Sequence, residues 1–294
     1  MRVPVRSVTA ALFLFGLEAL ALGQTRSTCG PAVASCGPAI VGTGDTAPTP
    51  APSWVSSMLA AWMLDEASGT RVNAQGTTAR DLSNTDNLDP IGNTHRMEGA
   101  MSAAVTASSA KHTNDTFPSL VAPLTVGCWV DSSPIACAFV MHDYNTTAGT
   151  FQLLRTVTGG FAFSAYDSGG TIHTATTANS WNAAGFHHVA GTLVSGGSLI
   201  VYVDGAQQAT AAMGTAAAHS GAFYLSDNYC FGGYLDECFL APLAISAASI
   251  CRVCSCGIRG EQCMCSGSTY TTTGRNATAC GSCTLPASCS APPS

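Results

Sequence analysis

The runs Phe186-His-His-Val-Ala-Gly-Thr-Leu193 and Ser198-Leu-Ile-Val-Tyr-Val203 decide the fold class of this chain. Both are short, rich in apolar and β-branched residues, and separated by a Ser-Gly-Gly cluster. Short apolar runs bounded by Gly, Asn, Asp and Ser are typical of β-strands. Further runs of this kind lie between residues 54 and 250, at Met58 to Leu64, Leu124 to Val130, Cys137 to Met141, Phe151 to Leu154, Phe161 to Tyr166, Ala222 to Leu225 and Tyr234 to Leu240.

Helical patterns are absent from the same region of the sequence. No run of a dozen or more residues keeps a helical period with caps at both ends. The alanine-rich stretch from Ala206 to Ala218 is bracketed by Gly205 and Gly214, which predicts a further strand and a loop. Many short strands predict an all-β fold, a two-sheet antiparallel β-sandwich or jelly roll.

Composition excludes several classes of protein. Only 10% of the 294 residues are charged, where about 25% is usual for soluble domains. The 11 basic residues form no cluster and are outnumbered by 17 acidic ones, which excludes a nucleic-acid-binding surface. The hydrophobic fraction of 46% is too high for a disordered chain, and Glu, Lys and Leu are too few for a long coiled coil.

The first 23 residues predict a secretory signal peptide. Arg2 and Arg6 precede a mostly apolar stretch from Val8 to Leu22, and Gly23 offers a small residue for cleavage. No later segment is long enough and apolar enough to span a membrane. We therefore expect a secreted mature chain, extracellular or on the cell surface, with no transmembrane segment.

Three pieces follow the predicted signal peptide. Residues 24–53 form a Pro/Thr-rich linker with a small cysteine loop, and such a linker should be extended. Residues 54–250 carry the β-patterned runs of the sandwich. Residues 251–294 form a cysteine-rich tail, which is too short and too poor in large apolar residues to fold without covalent cross-links.

The 14 cysteines predict disulfides, because their number is even and the expected compartment is oxidising. The paired C-x2-C units of the tail could instead hold zinc, but the tail contains no histidine, which favours disulfides. The candidates are Cys29, Cys36, Cys128, Cys137, Cys230, Cys238, Cys251, Cys254, Cys256, Cys263, Cys265, Cys280, Cys283 and Cys289.

Two pairings are predicted inside the sandwich. If the serines at 132 and 133 form a two-residue turn, Cys128 faces Cys137 across a hairpin. Directly opposed residues lie about 4.5–5.5 Å apart, within disulfide reach. The same spacing pairs Cys230 with Cys238 across the Gly-Gly turn at 232–233.

The order of these motifs resembles the laminin G-like family of the concanavalin A-like lectin/glucanase superfamily, in its bacterial secreted form. The resemblance implies a two-sheet antiparallel sandwich of a dozen or so strands that serves in binding or adhesion, sometimes with a calcium ion. It is carried by an opening strand, Leu59-Ala-Ala-Trp-Met-Leu-Asp-Glu-Ala-Ser-Gly-Thr70, a central hairpin, Phe186 to Leu193 with Leu199 to Gly205, and a closing strand and short helix, Gly233 to Leu240 with Ile245 to Ile250.

Catalytic residues are not expected, although the same sandwich hosts glycoside hydrolases. Laminarinase-like enzymes of this fold carry the motif E-x-D-x-x-E on one strand. The mature chain has four glutamates, none in that motif: Glu66, Glu98, Glu237 and Glu261. The adjacent pairs Asp65-Glu66 and Asp236-Glu237 face opposite ways on a strand, so they are poor acid/base partners.

Metal binding has weak support in the sequence. Strand alternation sends the rings of His187 and His188 to opposite faces, so they cannot chelate one ion together. No metal ligand is therefore predicted. Calcium is the one ion that the sequence admits as a cofactor, and its oxygen ligands would come from Asp81, Asp86 and Asp89 in one loop and Asp227-Asn228 in another.

Sugar binding would use exposed aromatic rings as stacking platforms. The candidates are Trp129, Tyr144, Tyr166, Trp181 and Tyr229, whereas Trp62 is predicted to lie in the core. The function best supported is a secreted, non-enzymatic binding or adhesion module whose partner is an extracellular glycan or a surface protein. The alternatives are a structural envelope or matrix protein without a small ligand, and a glycan-acting hydrolase of the same fold.

Overall fold

The computed structural model of the chain describes residues 57–66, 69–84, 92–93, 102–105, 112–132, 138–144, 151–178, 180–181, 185–218, 222–226, 232–256, 263–266 and 269–272. The predicted signal peptide and linker lie outside these residues. A 3-10 turn spans Thr78–Arg80 and one α-helix, α1, spans Ala247–Cys256. The strands are β1 (Ala60–Trp62), β2 (Ser83–Asn84), β3 (Gly92–Asn93), β4 (Ser102–Val105), β5 (His112–Asn114), β6 (Leu124–Ser132), β7 (Ala138–Tyr144), β8 (Phe151–Arg155), β9 (Phe161–Tyr166), β10 (Ile172–Thr176), β11 (His187–Leu193), β12 (Ser198–Val203), β13 (Ala206–Ala212), β14 (Ala222–Leu225), β15 (Gly233–Ala241), β16 (Cys263–Ser266) and β17 (Thr269–Thr272).

The strands form two antiparallel sheets that pack face to face, which confirms the predicted β-sandwich. The eight-stranded sheet has the order β13-β12-β11-β6-β15-β4-β3, with β1 also paired to β15. The seven-stranded sheet has the order β10-β9-β8-β7-β14-β5-β2. A separate hairpin, β16–β17, lies in the predicted tail. Among the described residues, no helix has the length and apolarity needed to cross a membrane.

A hydrophobic core fills the space between the two sheets. Val126 and Val130 of β6 point into it, because alternate side chains of a strand share one face. Trp62, predicted to lie in the core, is fully buried and stacks on Phe223 with 5.1 Å between ring centroids. Phe223 in turn stacks on Phe117 at 4.7 Å. These rings join β1 of one sheet to β14 of the other.

Gly191 of β11 allows the two sheets to approach closely. The ring of Phe163, on β9 of the facing sheet, occupies the position where a Cβ at residue 191 would lie. Only the hydrogen of a glycine leaves room for that ring. The alternation that places Gly191 inward also buries Val189 and Leu193 of the same strand.

Helix α1 covers the outer face of the eight-stranded sheet. Ile250 and Val253 of the helix join a buried cluster that includes Ala190 of β11 and Phe239 of β15. The ring of Phe239 lies over Gly127 of β6, where a Cβ would overlap it. The helix runs past residue 250, so the domain boundary predicted there falls within it.

The pairing predicted between Cys128 and Cys137 is wrong. The structure bonds Cys128 of β6 to Cys238 of β15, with 4.1 Å between the Cα atoms. The predicted hairpin does not form, because β6 continues through Ser132 and pairs with β11 and β15. The next strand, β7, belongs to the facing sheet.

The pairing predicted between Cys230 and Cys238 is also wrong, because Cys238 is bonded to Cys128. A shift in register between Asp236 and Phe239 brings Cys238 to the core side of β15, next to β6. Cys251 and Cys254 of α1 are also disulfide-bonded. The partners of the other candidates stay predictions, because their side chains lie outside the described residues: Cys29, Cys36, Cys137, Cys230, Cys256, Cys263, Cys265, Cys280, Cys283 and Cys289.

Asp167 connects the two sheets at the turn between β9 and β10. Its Oδ1 accepts hydrogen bonds from two backbone N–H groups of the turn, at 2.9 and 2.8 Å, and its Oδ2 lies 2.9 Å from Nε2 of His173. The next residue, Ser168, donates its N–H to the carbonyl of Thr215, which follows β13 of the other sheet. The hydrogen bond with His173 and those from the backbone lower the pKa of Asp167.

Replacing Gly191 by Ala should destabilise the fold by about 1–3 kcal/mol, because the Phe163 ring must move within a close-packed core. Urea unfolding followed by tryptophan fluorescence measures the loss. In the Gly191→Ala background, Phe163→Leu should cost less than it does alone. Strictly additive losses in the double variant would contradict the contact.

Peptide mapping of the oxidised protein should recover one peptide pair joined through Cys128 and Cys238. Replacing both cysteines by Ala removes a crosslink between residues 110 apart. Loss of such a link should lower the free energy of unfolding by about 2–4 kcal/mol. A peptide pair joining Cys128 to Cys137 would refute the observed pairing.

Asp167 should contribute stability that depends on pH. Because its folded pKa is lowered, the contribution is complete above the ordinary Asp pKa of about 3.9 and is lost as the pH falls through the folded pKa. Denaturant unfolding at pH 7 and pH 3 should therefore show a smaller acid-induced loss for Asp167→Asn than for the native chain. An unchanged acid dependence would refute this role of the carboxylate.

Candidate functional site

The outer face of the seven-stranded sheet, hereafter the open face, is where the described chain presents side chains for a ligand. The one α-helix of the described residues packs on the other sheet. The strands of the open face alternate between buried residues that point to the core and partly exposed ones that point outward. On β8, for example, Gln152 and Leu154 are partly exposed between buried neighbours.

A row of hydrogen-bonding side chains crosses the open face in register, hereafter the polar row. From Tyr224 onward each member lies directly opposite the next on the adjacent strand. Ser83 and Tyr224 are both opposite Thr113 of β5, the strand between theirs. Residues directly opposite each other on neighbouring strands share a face. From one edge of the sheet to the other the members are Ser83, Tyr224, His142, Gln152, Ser164 and Thr174.

Aromatic rings surround the middle of the polar row. The ring of His142 is buried between Tyr224, 4.9 Å away and nearly parallel, and Phe139, 4.7 Å away and tilted. Tyr224 and Phe139 are both partly exposed. The two strands β7 and β14 therefore present an aromatic patch with apolar ring surface and a phenol hydroxyl.

Amide and hydroxyl groups form the other half of the polar row. Gln152 is partly exposed and carries both donors and an acceptor. Thr174 is exposed, and its hydroxyl is 2.9 Å from that of the buried Ser164. A second row, with Phe139, Leu154 and Ala162 in register, runs beside the polar row and is apolar.

The arginines with described side chains each donate a hydrogen bond to a backbone carbonyl. Arg71 donates to the carbonyl of Glu66, and Arg80 donates to that of Leu59. Arg155 donates to the carbonyl of Trp181 at 2.8 Å, and burial lowers its pKa against the opposing effect of Asp131. The described outward-facing residues of the open face include no Asp, Glu, Lys or Arg.

The aromatic residues proposed from the sequence are mostly placed elsewhere. Trp129 is fully buried in a cluster with Cys254 of α1, and Trp181 packs against the core. Tyr166 is partly exposed and lies on the open face opposite the exposed Ile172. The side chains of Tyr144 and Tyr229 lie outside the described residues.

Tyr224, Phe139 and His142 were missed by the sequence analysis. Phe139 and His142 lie on β7 and Tyr224 lies on β14, and a run by itself does not reveal which strands are neighbours. The alternation in Ala222 to Leu225 could have indicated Tyr224, because the buried Phe223 and Leu225 alternate with the outward positions 222 and 224. Its meeting with His142 depends on the pairing of β14 with β7.

His187 and His188 lie on opposite faces of β11, as strand alternation predicted. His187 lies 2.8 Å from Asp204 through Nδ1, and its ring meets Trp181 edge-on. His188 is fully buried on the opposite face, between Trp129 and Phe239. The two rings do not converge on one site.

The predicted carboxylates are engaged in structural contacts wherever the structure describes them. Glu66 accepts from the N–H of Val72 and Glu237 is buried in β15. Asp81 accepts from the N–H of Asn73 at 2.7 Å. Among the described residues no three His, Cys, Asp or Glu side chains form a metal-binding group. The other predicted calcium ligands and glutamates lie outside those residues: Asp86, Asp89, Asp227, Asn228, Glu98 and Glu261.

Comparison with solved structures finds the same sandwich in botulinum neurotoxin binding domains. The serotype D binding domain is 12% identical with a TM-score of 0.55, and the match covers 68% of this chain and 51% of that one. The serotype D ligand-binding domain in complex with N-acetylneuraminic acid is 12% identical with a TM-score of 0.54, covering 67% and 50%. The type G receptor-binding domain is 9% identical with a TM-score of 0.51, covering 66% and 50%. This chain therefore spans about half the length of these structures, and the likeness is one of fold.

Sequence comparison identifies the family. No curated protein is significantly similar to the chain in sequence. A laminin G-type family model, described as the concanavalin A-like lectin/glucanases superfamily, matches residues 102–251, from β4 into α1 and so through most of both sheets. The chain belongs to the laminin G-like family of the concanavalin A-like lectin/glucanases superfamily.

Proposed function

We propose that this chain is a secreted, non-enzymatic module that binds extracellular carbohydrate through its open face. The observation that carries the proposal is the register of the polar row, which brings aromatic, amide and hydroxyl side chains together on a sheet face that the described helix leaves uncovered.

The chemistry of the open face suits a sugar. A sugar ring has an apolar side of C–H groups, and the partly exposed Tyr224 and Phe139 offer ring surface for it. Its hydroxyl groups both donate and accept hydrogen bonds. Gln152 and Thr174, also partly or fully exposed, can do the same from the neighbouring strands.

The carboxylates support binding without catalysis. A retaining glycosidase needs two carboxyl groups about 5–5.5 Å apart in its cleft. On the strands of the seven-stranded sheet, Asp143 is buried and accepts a hydrogen bond from the N–H of Phe151 at 2.9 Å. That carboxylate acts in the fold and does not face the polar row.

Export follows from the predicted signal peptide and agrees with disulfides at Cys128, Cys238, Cys251 and Cys254. Disulfides persist in oxidising compartments. A glycan outside the cell would then be the accessible partner. One neighbour of the same fold is described as a complex with N-acetylneuraminic acid, so a sugar ligand has a precedent among proteins of this architecture.

Tyr224→Ala should weaken glycan binding about 2- to 10-fold, because a stacked ring contributes roughly 0.5–1.5 kcal/mol and 1.4 kcal/mol is tenfold in affinity. The mature chain is first screened on a glycan array, with calcium and with chelator, and the best hit is then titrated calorimetrically. Tyr224→Phe keeps the ring and should retain most of the affinity.

Val157→Ala is the matched control, since Val157 is 70% exposed in the turn between β8 and β9 and lies off the open face. It should leave affinity unchanged. Thermal unfolding of all variants separates lost binding from lost folding. An array without hits, or hits that are equally strong in Tyr224→Ala, would overturn the proposal in favour of a protein partner or a structural role.

A further inference from the structure

We infer that two copies of this chain associate through the free edge of β13 and join their eight-stranded sheets into one continuous sheet. The inference goes beyond the proposed function, because it concerns the side of the sandwich and not its open face. A strand of another protein is the alternative occupant of such an edge.

β13 is the longest edge strand of the two sheets in the described part of the chain. It spans seven residues, lies at the end of the eight-stranded sheet and pairs there only with β12. Of the other edge strands, β2 and β3 have two residues each and β10 has five. An edge strand presents a row of unpaired backbone N–H and C=O groups, which is a template for pairing with another strand.

The register of β13 shows which of its backbone groups point to the free edge. Met213, directly after the strand, donates its N–H to the carbonyl of Gly197 at 3.0 Å. Hydrogen-bonded and non-hydrogen-bonded positions alternate along an antiparallel pair. Ala211 therefore bonds to β12, whereas the N–H and C=O groups of Thr210 and Ala212 point away from it.

β13 lacks the side chains that keep strand edges from pairing. Charged residues and proline are the ones that commonly serve this purpose. The strand reads Ala-Gln-Gln-Ala-Thr-Ala-Ala, without a charged residue or a proline. Its one irregularity is a register shift in its first half, so residues 209–212 stay regular. Four of its seven residues are exposed: Ala206, Gln207, Thr210 and Ala212.

A second copy of β13 suits this edge. Two identical strands that pair antiparallel are related by a two-fold axis, the commonest symmetry of protein dimers. With the axis at Thr210, each Thr210 lies opposite its counterpart, and Ala212 lies opposite Gln208 of the other copy. Opposed threonines on neighbouring strands stabilise a pair of strands. In this register the edge-directed groups of Thr210 meet those of its counterpart.

Charge does not oppose this contact, although the whole chain carries a net charge of −6. β10, an edge strand of the other sheet, contacts β13. Neither of these two strands contains Asp, Glu, Lys or Arg. The titratable side chain of β10, His173, lies 2.9 Å from its partner Asp167. Two copies therefore approach each other through two uncharged edge strands.

The size of this side of the sandwich sets the expected strength of the dimer. A strand of seven residues is about 23 Å long, and two sheets packed about 10 Å apart present a side roughly 20 Å thick. Contact over that side buries about 900 Å² over both copies, at the low end of specific interfaces. We therefore expect a reversible dimer with a Kd in the micromolar range.

The symmetry of the pair also fixes the direction of the open faces. The two-fold axis that relates two antiparallel strands of one sheet is perpendicular to that sheet. Both copies thus keep the same face of the sandwich on the same side, and their open faces point in one direction. A surface that carries many ligands would engage both copies at once, which raises avidity without any new contact.

Sedimentation velocity of the mature chain, residues 24–294, tests the association. Between about 1 and 200 µM the weight-average mass should rise from that of one chain toward that of two. Thr210→Lys places two ammonium groups opposite each other at the axis and should raise the Kd about tenfold or more. Val157→Lys is the charge-matched control, since Val157 is 70% exposed in the turn between β8 and β9. It should leave the Kd unchanged.

Ala212→Pro is a second variant, which acts on the backbone. It removes an N–H that points to the free edge, and an edge strand tolerates proline at such a position. The Kd should rise about tenfold or more, because each copy loses one hydrogen bond of the contact. Thermal unfolding of the monomeric variants should stay close to that of the native chain, which separates lost association from lost folding.

Hydrogen exchange at the two concentrations locates the contact. The amides of Thr210 and Ala212 should be protected at the high concentration alone, whereas that of Ala211 should be protected at both, because it bonds within the chain. A chain that stays monomeric overturns the inference and leaves the edge to a strand of another protein. A dimer that Thr210→Lys and Val157→Lys weaken equally, or one without protection of the Thr210 amide, also overturns it.

Discussion

The contact between Gly191 and the ring of Phe163 is the constraint on which the sandwich depends, because it sets how closely the two sheets approach. A glycine on one strand and a large ring on the facing strand is one solution to dense packing between sheets. On the other side of the eight-stranded sheet, a glycine also accommodates a ring, because Phe239 of β15 lies over Gly127 of the neighbouring strand β6. The eight-stranded sheet is thus packed tightly on both faces.

Because of this packing, the two sheets differ in what lies on their outer faces. The eight-stranded sheet has the core on one side and the cluster around Ile250 and Val253 on the other. The seven-stranded sheet shares the same core, but its outer side carries the polar row, and the helix of the described residues does not pack on it. The composition agrees with this arrangement. Only 10% of the residues are charged, and the outward side chains of the polar row are uncharged Ser, Thr, Gln and Tyr together with His142.

Strand alternation predicts those features that depend on one strand alone, such as which face of the strand a side chain occupies. The separation of His187 from His188 needed no more than the period of two, and the burial of Trp62 followed from its apolar neighbours. The disulfide predicted for Cys128 was wrong because it too was derived from one local stretch of sequence. Cys128 and Cys137 are close in sequence, so a hairpin was the simplest path, but the chain leaves β6 for the facing sheet. The partner of Cys128 came from β15, 110 residues away.

By itself, the sequence determined an all-β sandwich, its family and the positions of ten of its strands, because these follow from local periodicity and motif order. The short strands β2 to β5, β10, β16 and β17 were not predicted. Only the tertiary structure decided which strands are neighbours. That order joins Cys128 to Cys238 and aligns Ser83, Tyr224, Gln152 and Thr174 across one face. The physical reason is that strands pair between segments far apart in the chain. The backbone hydrogen bonds that join them are available to nearly every residue, so no single run of residues shows which strand will be its neighbour.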